Sequence, residues 1–382
     1  MRASLTASRS VQYHDSPVST PPFFTLIHET IRRSAHQKKD PSMIRRVRIL
    51  RQPPCQDAPT ILVALIMALI LFALPGPDLA FALQVKGLQS PQSFVADSAR
   101  DQYFISNING DPEVKNNNGF ITKLDQNGKV VEQRFIQGGE GGIVLHAPKG
   151  MAIVKGILYV ADLDALRGFD TKTGRAIHTI SFTRHQGSTE ATSLADVAHD
   201  GDGILYASDT QDNTIYRIDT RHQHAVSLLV RDASLAGPRG LAVHPRSGRL
   251  IVVSWDKGKI LEVDAKGTIT VLVSTSFFSS RFHNLDGVDF DKWGNMYVSD
   301  FTAGKVWRMR PDRRFHVIAE YLHTPADIGV DRAKHLILVP YLYANTAEMN
   351  GLESPVKSKK RKRTLSDYGF RPPRPGSEAQ EP

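Results

Sequence analysis

Pro148-Lys149-Gly150-Met151-Ala152-Ile153 and, a few residues on, Ile157-Leu158-Tyr159-Val160-Ala161-Asp162 form two short apolar runs separated by a polar turn at Lys155-Gly156. Each run is too short for a globular helix and rich in β-branched and aromatic residues, so the pair reads as a β-hairpin. The same unit returns as Pro238–Val243 with Leu250–Trp255, and as Leu285–Phe290 with Asn295–Asp300. Looser copies are SPQSFVAD (90–97) with YFISN (103–107), SLADVAHD (193–200) with ILYASD (204–209), and TPADIGVD (324–331) with LILVPY (336–341).

Aligning the six copies on the residue before the glycine or its substitute gives Gln92, Lys149, Ala195, Arg239, Asp286 and Ala326, at spacings of 57, 46, 44, 47 and 40 residues. A third and often a fourth apolar run follows each hairpin, as in ALRGFD (165–170) and RAIHTISF (175–182). Four short strands at a period of about 40–50 residues mark the blades of a propeller. A single twisted four-stranded sheet cannot cover both of its faces, and packing blades around a ring does so. The expected fold is all-β, a six-bladed β-propeller of four-stranded blades over 83–352. The sixth copy has only a weak third run at 346–352 and no fourth, so Leu83–Leu88 is the expected strand that closes the ring. The polar stretch Asn107–Gly119 in the first, longest copy is expected to be a surface loop.

The ends differ from this middle. Residues 83–350 carry 30 Lys or Arg and 30 Asp or Glu, whereas 1–82 carry 10 against 5 and 351–382 carry 8 against 4. The net charge of +9 therefore belongs to the termini. The neutral propeller lacks the basic face that nucleic-acid binding requires. The one cysteine, Cys55, precedes the propeller, which excludes a disulfide framework and a cysteine metal site. Ile61–Leu74 is an unbroken apolar run with Arg45, Arg46, Arg48 and Arg51 before it and Ala80-Phe81-Ala82 after it. That order matches a cleavable secretory signal, with Met43 as an alternative start. The propeller is then expected in the periplasm or secreted; the alternative is a membrane anchor over 58–82. Residues 353–382, with the run Lys359–Arg363, are too polar and Pro-rich to bury a core, so they are expected to form a disordered tail touching at most an anionic surface. The chain is expected to be a monomer.

The entry motif P-x-G-[LMV]-A-[VI] followed by LYVAD-like runs resembles NHL-type repeats. It also resembles the regucalcin, gluconolactonase and luciferin-regenerating enzyme family over about residues 88–350. The resemblance implies one divalent cation, calcium or zinc, at the mouth of the channel and metal-dependent lactone hydrolysis. Its ligand pattern is a Glu in the first blade, Asn in the third and fourth, and Asp in the fifth. Here only Asp286 matches; Gln92 has no carboxylate, Ala195 replaces an Asn, and Arg239 places a cation where an oxygen is needed. A hard ion wants several oxygens, so the metal site is expected to be damaged.

Around the expected mouth the polar residues run Gln92, Lys149, Asp196, Arg239, Asp286 and Asp327, with a second ring at Gln89, His146, Thr192, Ala236, His283 and His323. Alternating charges can bind a small polar ligand, or can pair with one another and plug the channel. The histidines are either ligands or chance loop residues. Two functions follow: a non-catalytic propeller binding a small polar molecule or a protein at the mouth, and a metal-dependent lactone or ester hydrolase.

Overall fold

The computed structural model describes residues 83–182, 193–274 and 282–352. The signal segment, the basic tail and Thr192 lie outside the described residues.

The strands follow the sequence repeat. β1 is Leu83–Val85, and blade 1 is β2 (Pro91–Asp97), β3 (Gln102–Asn107), β4 (Phe120–Leu124) and β5 (Val130–Gln137). Blade 2 is β6 (Met151–Val154), β7 (Ile157–Asp162), β8 (Ala165–Asp170) and β9 (Ala176–Ser181). Blade 3 is β10 (Leu194–His199), β11 (Ile204–Asp209), β12 (Thr214–Asp219) and β13 (Ala225–Arg231). Blade 4 is β14 (Pro238–Val243), β15 (Leu250–Ser254), β16 (Ile260–Val263) and β17 (Ile269–Val273). Blade 5 is β18 (Leu285–Phe290), β19 (Met296–Asp300), β20 (Lys305–Met309) and β21 (Phe315–Ala319). Blade 6 is β22 (Gly329–Asp331), β23 (Leu336–Tyr341) and β24 (Thr346–Gly351), and its fourth place is taken by β1.

This is an all-β, six-bladed propeller of four-stranded antiparallel blades. The ring closes where Leu83, Gln84 and Val85 pair with Met349, Glu348 and Ala347. Without β1 the outer edge of β24 would be unpaired, an invitation to aggregation. The core is distributed among the junctions: six apolar clusters of the described residues each span two neighbouring blades. Blades 6 and 1 share Val85, Leu88, Phe94, Ile105, Leu338 and Met349. Each blade is thus covered on both faces only by its neighbours.

A repeated serine fastens the inner strands. Ser106, Ser208 and Ser299, fully buried on the second strands of blades 1, 3 and 5, donate to the carbonyls of Lys149, Arg239 and Ala326 on the next blade, at 2.8, 2.6 and 2.7 Å. The same hydroxyls accept from Ser93, Asp196 and Gly287 backbone N–H groups. Buried hydroxyls satisfied in both directions hold the strand starts at fixed height. Those starts carry the polar residues of the channel.

Candidate functional site

The innermost strands β2, β6, β10, β14, β18 and β22 surround the channel, and their first residues ring one end, the mouth. The loop 108–119 and the residues after each second strand lie at this end. Blades 2, 4 and 5 read Lys149-Gly150, Arg239-Gly240 and Asp286-Gly287; blades 3 and 6 read Ala195-Asp196 and Ala326-Asp327. The two kinds of start set two depths. Where glycine comes second, the long polar side chain before it reaches the mouth. Where aspartate comes second, the carboxylate lies one residue further down. A Cβ on Gly150 would stand 1.9 Å from Asp196 Oδ1, and one on Gly287 would stand 2.8 Å from Asp327 Oδ1. The glycines of blades 2 and 5 therefore make room for the aspartates of blades 3 and 6. The six polar residues expected on one ring divide into four at the mouth and two deeper.

At the mouth the charges pair. Arg239 Nε donates to Asp286 Oδ1 at 3.0 Å, and Gln92 Nε2 reaches across the channel to the same carboxylate at 3.2 and 3.4 Å. Asp286 is 2% exposed. The Arg239 guanidinium also lies 4.3 Å from the centre of the Trp255 ring, a cation–π contact. Trp255 packs on Phe301 with ring centres 5.2 Å apart, and Phe301 meets Tyr343 at 5.9 Å. Tyr343 is 73% exposed, so the aromatic arc runs from the channel out to solvent. The Arg239 side chain is 21% exposed, and its two terminal nitrogens have no hydrogen-bond partner among the described residues.

The other half of the mouth is closed by the loop. Glu113, absent from the sequence reading, reaches Lys149 Nζ at 3.2 Å and accepts from Ser193 Oγ and Gln211 Nε2 at 3.3 and 3.4 Å. The 108–119 segment, largely exposed as expected of a surface loop, also reaches over to blades 2 and 3. Burial pushes the Lys149 ammonium below its usual pKa, Glu113 opposes that, and Arg239 adds to it.

The histidines do not converge. His283 and His323 are exposed, whereas His146 is half-buried and its Nδ1 accepts the Asn117 N–H at 3.1 Å. His146 lies near Asp162 and Asp164 with ligand atoms within 4.8 Å of one another. Those carboxylates already face Arg167 (2.6 Å to Asp162, 2.9 Å to Asp164) and Lys115 (2.8 Å to Asp164), and Asp162 accepts the His146 and Ala147 N–H groups. Two cations stand where an ion would go, so this group does not fit a metal. Asp286 does not fit one either. Its carboxylate faces the Arg239 charge and the Gln92 amide N–H, and both are donors where a divalent ion needs acceptors. Asp162 and Asp300 instead cap the entries of their own blades by accepting backbone N–H groups, Asp300 from His283 at 3.1 Å.

Below the mouth the channel widens into a cavity of about 350 Å³ that opens at the opposite end. Asp196 and Asp327 line it. Asp196 accepts the Val197 N–H through Oδ1 and the Leu241 N–H through Oδ2, both at 2.7 Å. Burial raises its pKa well above the usual range, and the charge of Asp327 adds to the rise. Asp327 is pushed up to about 8 by burial; Ser93 and Arg239 oppose the rise, and Asp286 and Asp289 add to it.

No protein-family model and no curated protein sequence matches the chain. Among solved structures, a Bacteroides thetaiotaomicron protein of unknown function is 13% identical with a TM-score of 0.56, covering 72% of each chain. Virginiamycin B lyase from Staphylococcus aureus is 14% identical with a TM-score of 0.50 over 71% of this chain and 99% of that one. A putative gluconolactonase is 18% identical with a TM-score of 0.51 over 72% and 95%. At such identities the likeness is one of fold, and fold alone does not assign chemistry. The expected resemblance to the gluconolactonase group is supported as a likeness of fold.

Proposed function

We propose that this chain is an exported, non-catalytic propeller that binds a small organic acid at the loop-bearing mouth. The observation that carries this reading is the state of Arg239. Its guanidinium is held from two sides, by Asp286 at 3.0 Å and by the Trp255 face at 4.3 Å, with its terminal N–H groups turned to the partly open mouth. A guanidinium fixed in this way loses little freedom on binding a carboxylate, and a planar fork suits a bidentate anion. Trp255, Phe301 and Tyr343 then offer an apolar surface for a ring or chain next to that carboxylate. Export rests on the apolar run 61–74 and its flanks.

Calorimetric titration with benzoate and indole-3-acetate tests the reading. Parent protein should bind at least one of them; Arg239→Lys and Trp255→Ala should each weaken it about tenfold, the worth of one charge-assisted or stacking contact. Unchanged affinity in both variants would remove the mouth from consideration. Micromolar calcium or zinc binding that Asp286→Asn abolishes would instead put the lactone hydrolase first.

A further inference from the structure

The cavity below the mouth holds more negative charge than its surroundings compensate. Five aspartates surround it or approach it: Asp196, Asp200, Asp289 and Asp327 in its lining and Asp286 from the mouth. Asp286 is paired with Arg239 at 3.0 Å, and Asp289 with Arg332 at 2.5 Å while also accepting the Val330 N–H at 2.8 Å. Asp196 and Asp327 have no cationic partner among the described residues, and both face the same cavity. Asp327 is only 7% exposed, and its carboxylate receives no hydrogen bond of acceptable geometry from a described residue. The Ser93 hydroxyl beside it is 1% exposed, favours the charged form of the carboxylate and brings no charge of its own. A buried carboxylate left in this state either keeps a proton or takes up a cation.

The walls decide which cation. Val95, Met151, Val197, Leu241, Val288 and Val330 give them an aliphatic part, beside a polar part made by His199, Asp200, His244, Asp289 and Arg332. A dehydrated calcium or zinc ion would need more oxygen ligands than the two carboxylates supply, and both Asp196 oxygens already accept backbone N–H groups. An alkylammonium needs less. It has three donors at one end, matching the acceptor sites of Asp327 and the one remaining lone pair on each Asp196 oxygen, and a chain that can lie on the aliphatic part of the walls. The volume is that of a small-ligand pocket.

We propose that the lower cavity of the channel binds a small aliphatic amine in its ammonium form, with its charged head at Asp196 and Asp327 and its chain on the aliphatic part of the walls. This site is separate from the mouth: the ligand class has the opposite charge, and the entry is at the other end. At the entry the charged and titratable groups are Asp200, Asp289, Arg332, His199 and His244; above the aspartates are Asp286, Arg239 and, further up, Lys149. Burial, helped by Arg332, keeps the His199 imidazole below its usual pKa, so it adds little positive charge at neutral pH.

Binding of an ammonium ion must release a proton that burial keeps on these aspartates. Affinity therefore rises with pH up to the point at which that proton is already lost. The full-length protein is titrated with n-hexylammonium chloride by calorimetry at pH 6 and pH 8, beside n-hexanol, calcium and zinc. Hexylammonium should bind at least about tenfold more tightly at pH 8 than at pH 6, with proton release seen as a dependence of the heat on the buffer's ionisation enthalpy. Hexanol should bind at least tenfold more weakly at pH 8. Asp327→Asn should lose both the affinity and its pH dependence. Hexanol binding as well as hexylammonium, an Asp327→Asn variant that binds like the parent, no binding of hexylammonium, or calcium or zinc binding in its place would each overturn the proposal. Circular dichroism of Asp327→Asn, expected to match the parent, separates loss of the site from loss of the fold.

Discussion

The two ends of one channel handle the same residue type in opposite ways. At the mouth, Asp286 is buried against Arg239 and Gln92, and its charge is matched. One residue further down the equivalent strands, Asp196 and Asp327 are buried with no cationic partner among the described residues. The difference lies in the order of two residues: polar-then-glycine in blades 2, 4 and 5, alanine-then-aspartate in blades 3 and 6. A shift of one position along an inner strand moves a carboxylate from a paired site at the rim to an unpaired one in the cavity. The lesson is that position along the inner strand, as much as residue type, decides whether a buried aspartate is structural or available.

Breaking the ring should abolish the contrast altogether. Blades 6 and 1 meet at the bridge between Ser93 and Asp327, where Asp327 N–H donates to the Gln92 carbonyl at 2.9 Å, so both ends of the channel depend on closure. Deleting Leu83–Leu88 removes β1 and the buried Val85 and Leu88. The expected result is loss of cooperative thermal unfolding, and an unchanged melting curve would deny β1 its closing role.

A smaller intrusion should damage one end and spare the other. Gly150→Ala places a methyl group 1.9 Å from Asp196 Oδ1 and 2.6 Å from Asp196 Cα, which is backbone that cannot swing away. Overpacking of this kind should cost about 3 kcal/mol in urea denaturation. The Arg239–Trp255 contact, two blades away, should survive, as judged by unchanged tryptophan emission. A cost below about 0.5 kcal/mol would mean that the glycine is not making room for the aspartate.

Much of this was legible in the sequence, and the limits have physical causes. The blades were legible because the P-x-G entries and period-2 runs repeat at nearly constant spacing. The closing strand was legible because the sixth repeat ends after Thr346–Gly351 with no fourth run. The depth of Asp196 and Asp327 was written in the same motif, as aspartate in the place of glycine. It becomes visible only when the close approach of neighbouring inner strands shows what the glycine is for. Glu113 carried no signal, since it stands in an Asn- and Gly-rich stretch without periodicity and meets Lys149 only through tertiary structure. Trp255, Phe301 and Leu342 follow the second strands of blades 4, 5 and 6 at equivalent positions, with Tyr343 next to the last. Scanning that position across the six repeats would have found the aromatic arc.

The central claim is that Asp286 is compensated and Asp327 is not, and one substitution made at both places tests it. Asp286→Asn removes a charge that Arg239 needs, so it should destabilise the protein by about 2 kcal/mol at pH 8, less than for a fully buried pair because Arg239 is partly exposed. Asp327 behaves in the opposite sense. Its folded-state pKa, about 8, lies above its ordinary 3.8. The folded protein therefore holds a proton that the unfolded chain has released. The resulting stabilisation is complete below about pH 4 and is lost as pH rises through about 8. Asp327→Asn, which never has to ionise, should then be more stable than the parent at pH 9 by about 1–2 kcal/mol, with a flatter dependence between pH 5 and 9. The measurement is urea denaturation of parent, Asp286→Asn and Asp327→Asn across that range. Opposite signs at the alkaline end are the predicted result; destabilisation of equal size by both substitutions, with parallel pH profiles, would contradict the account.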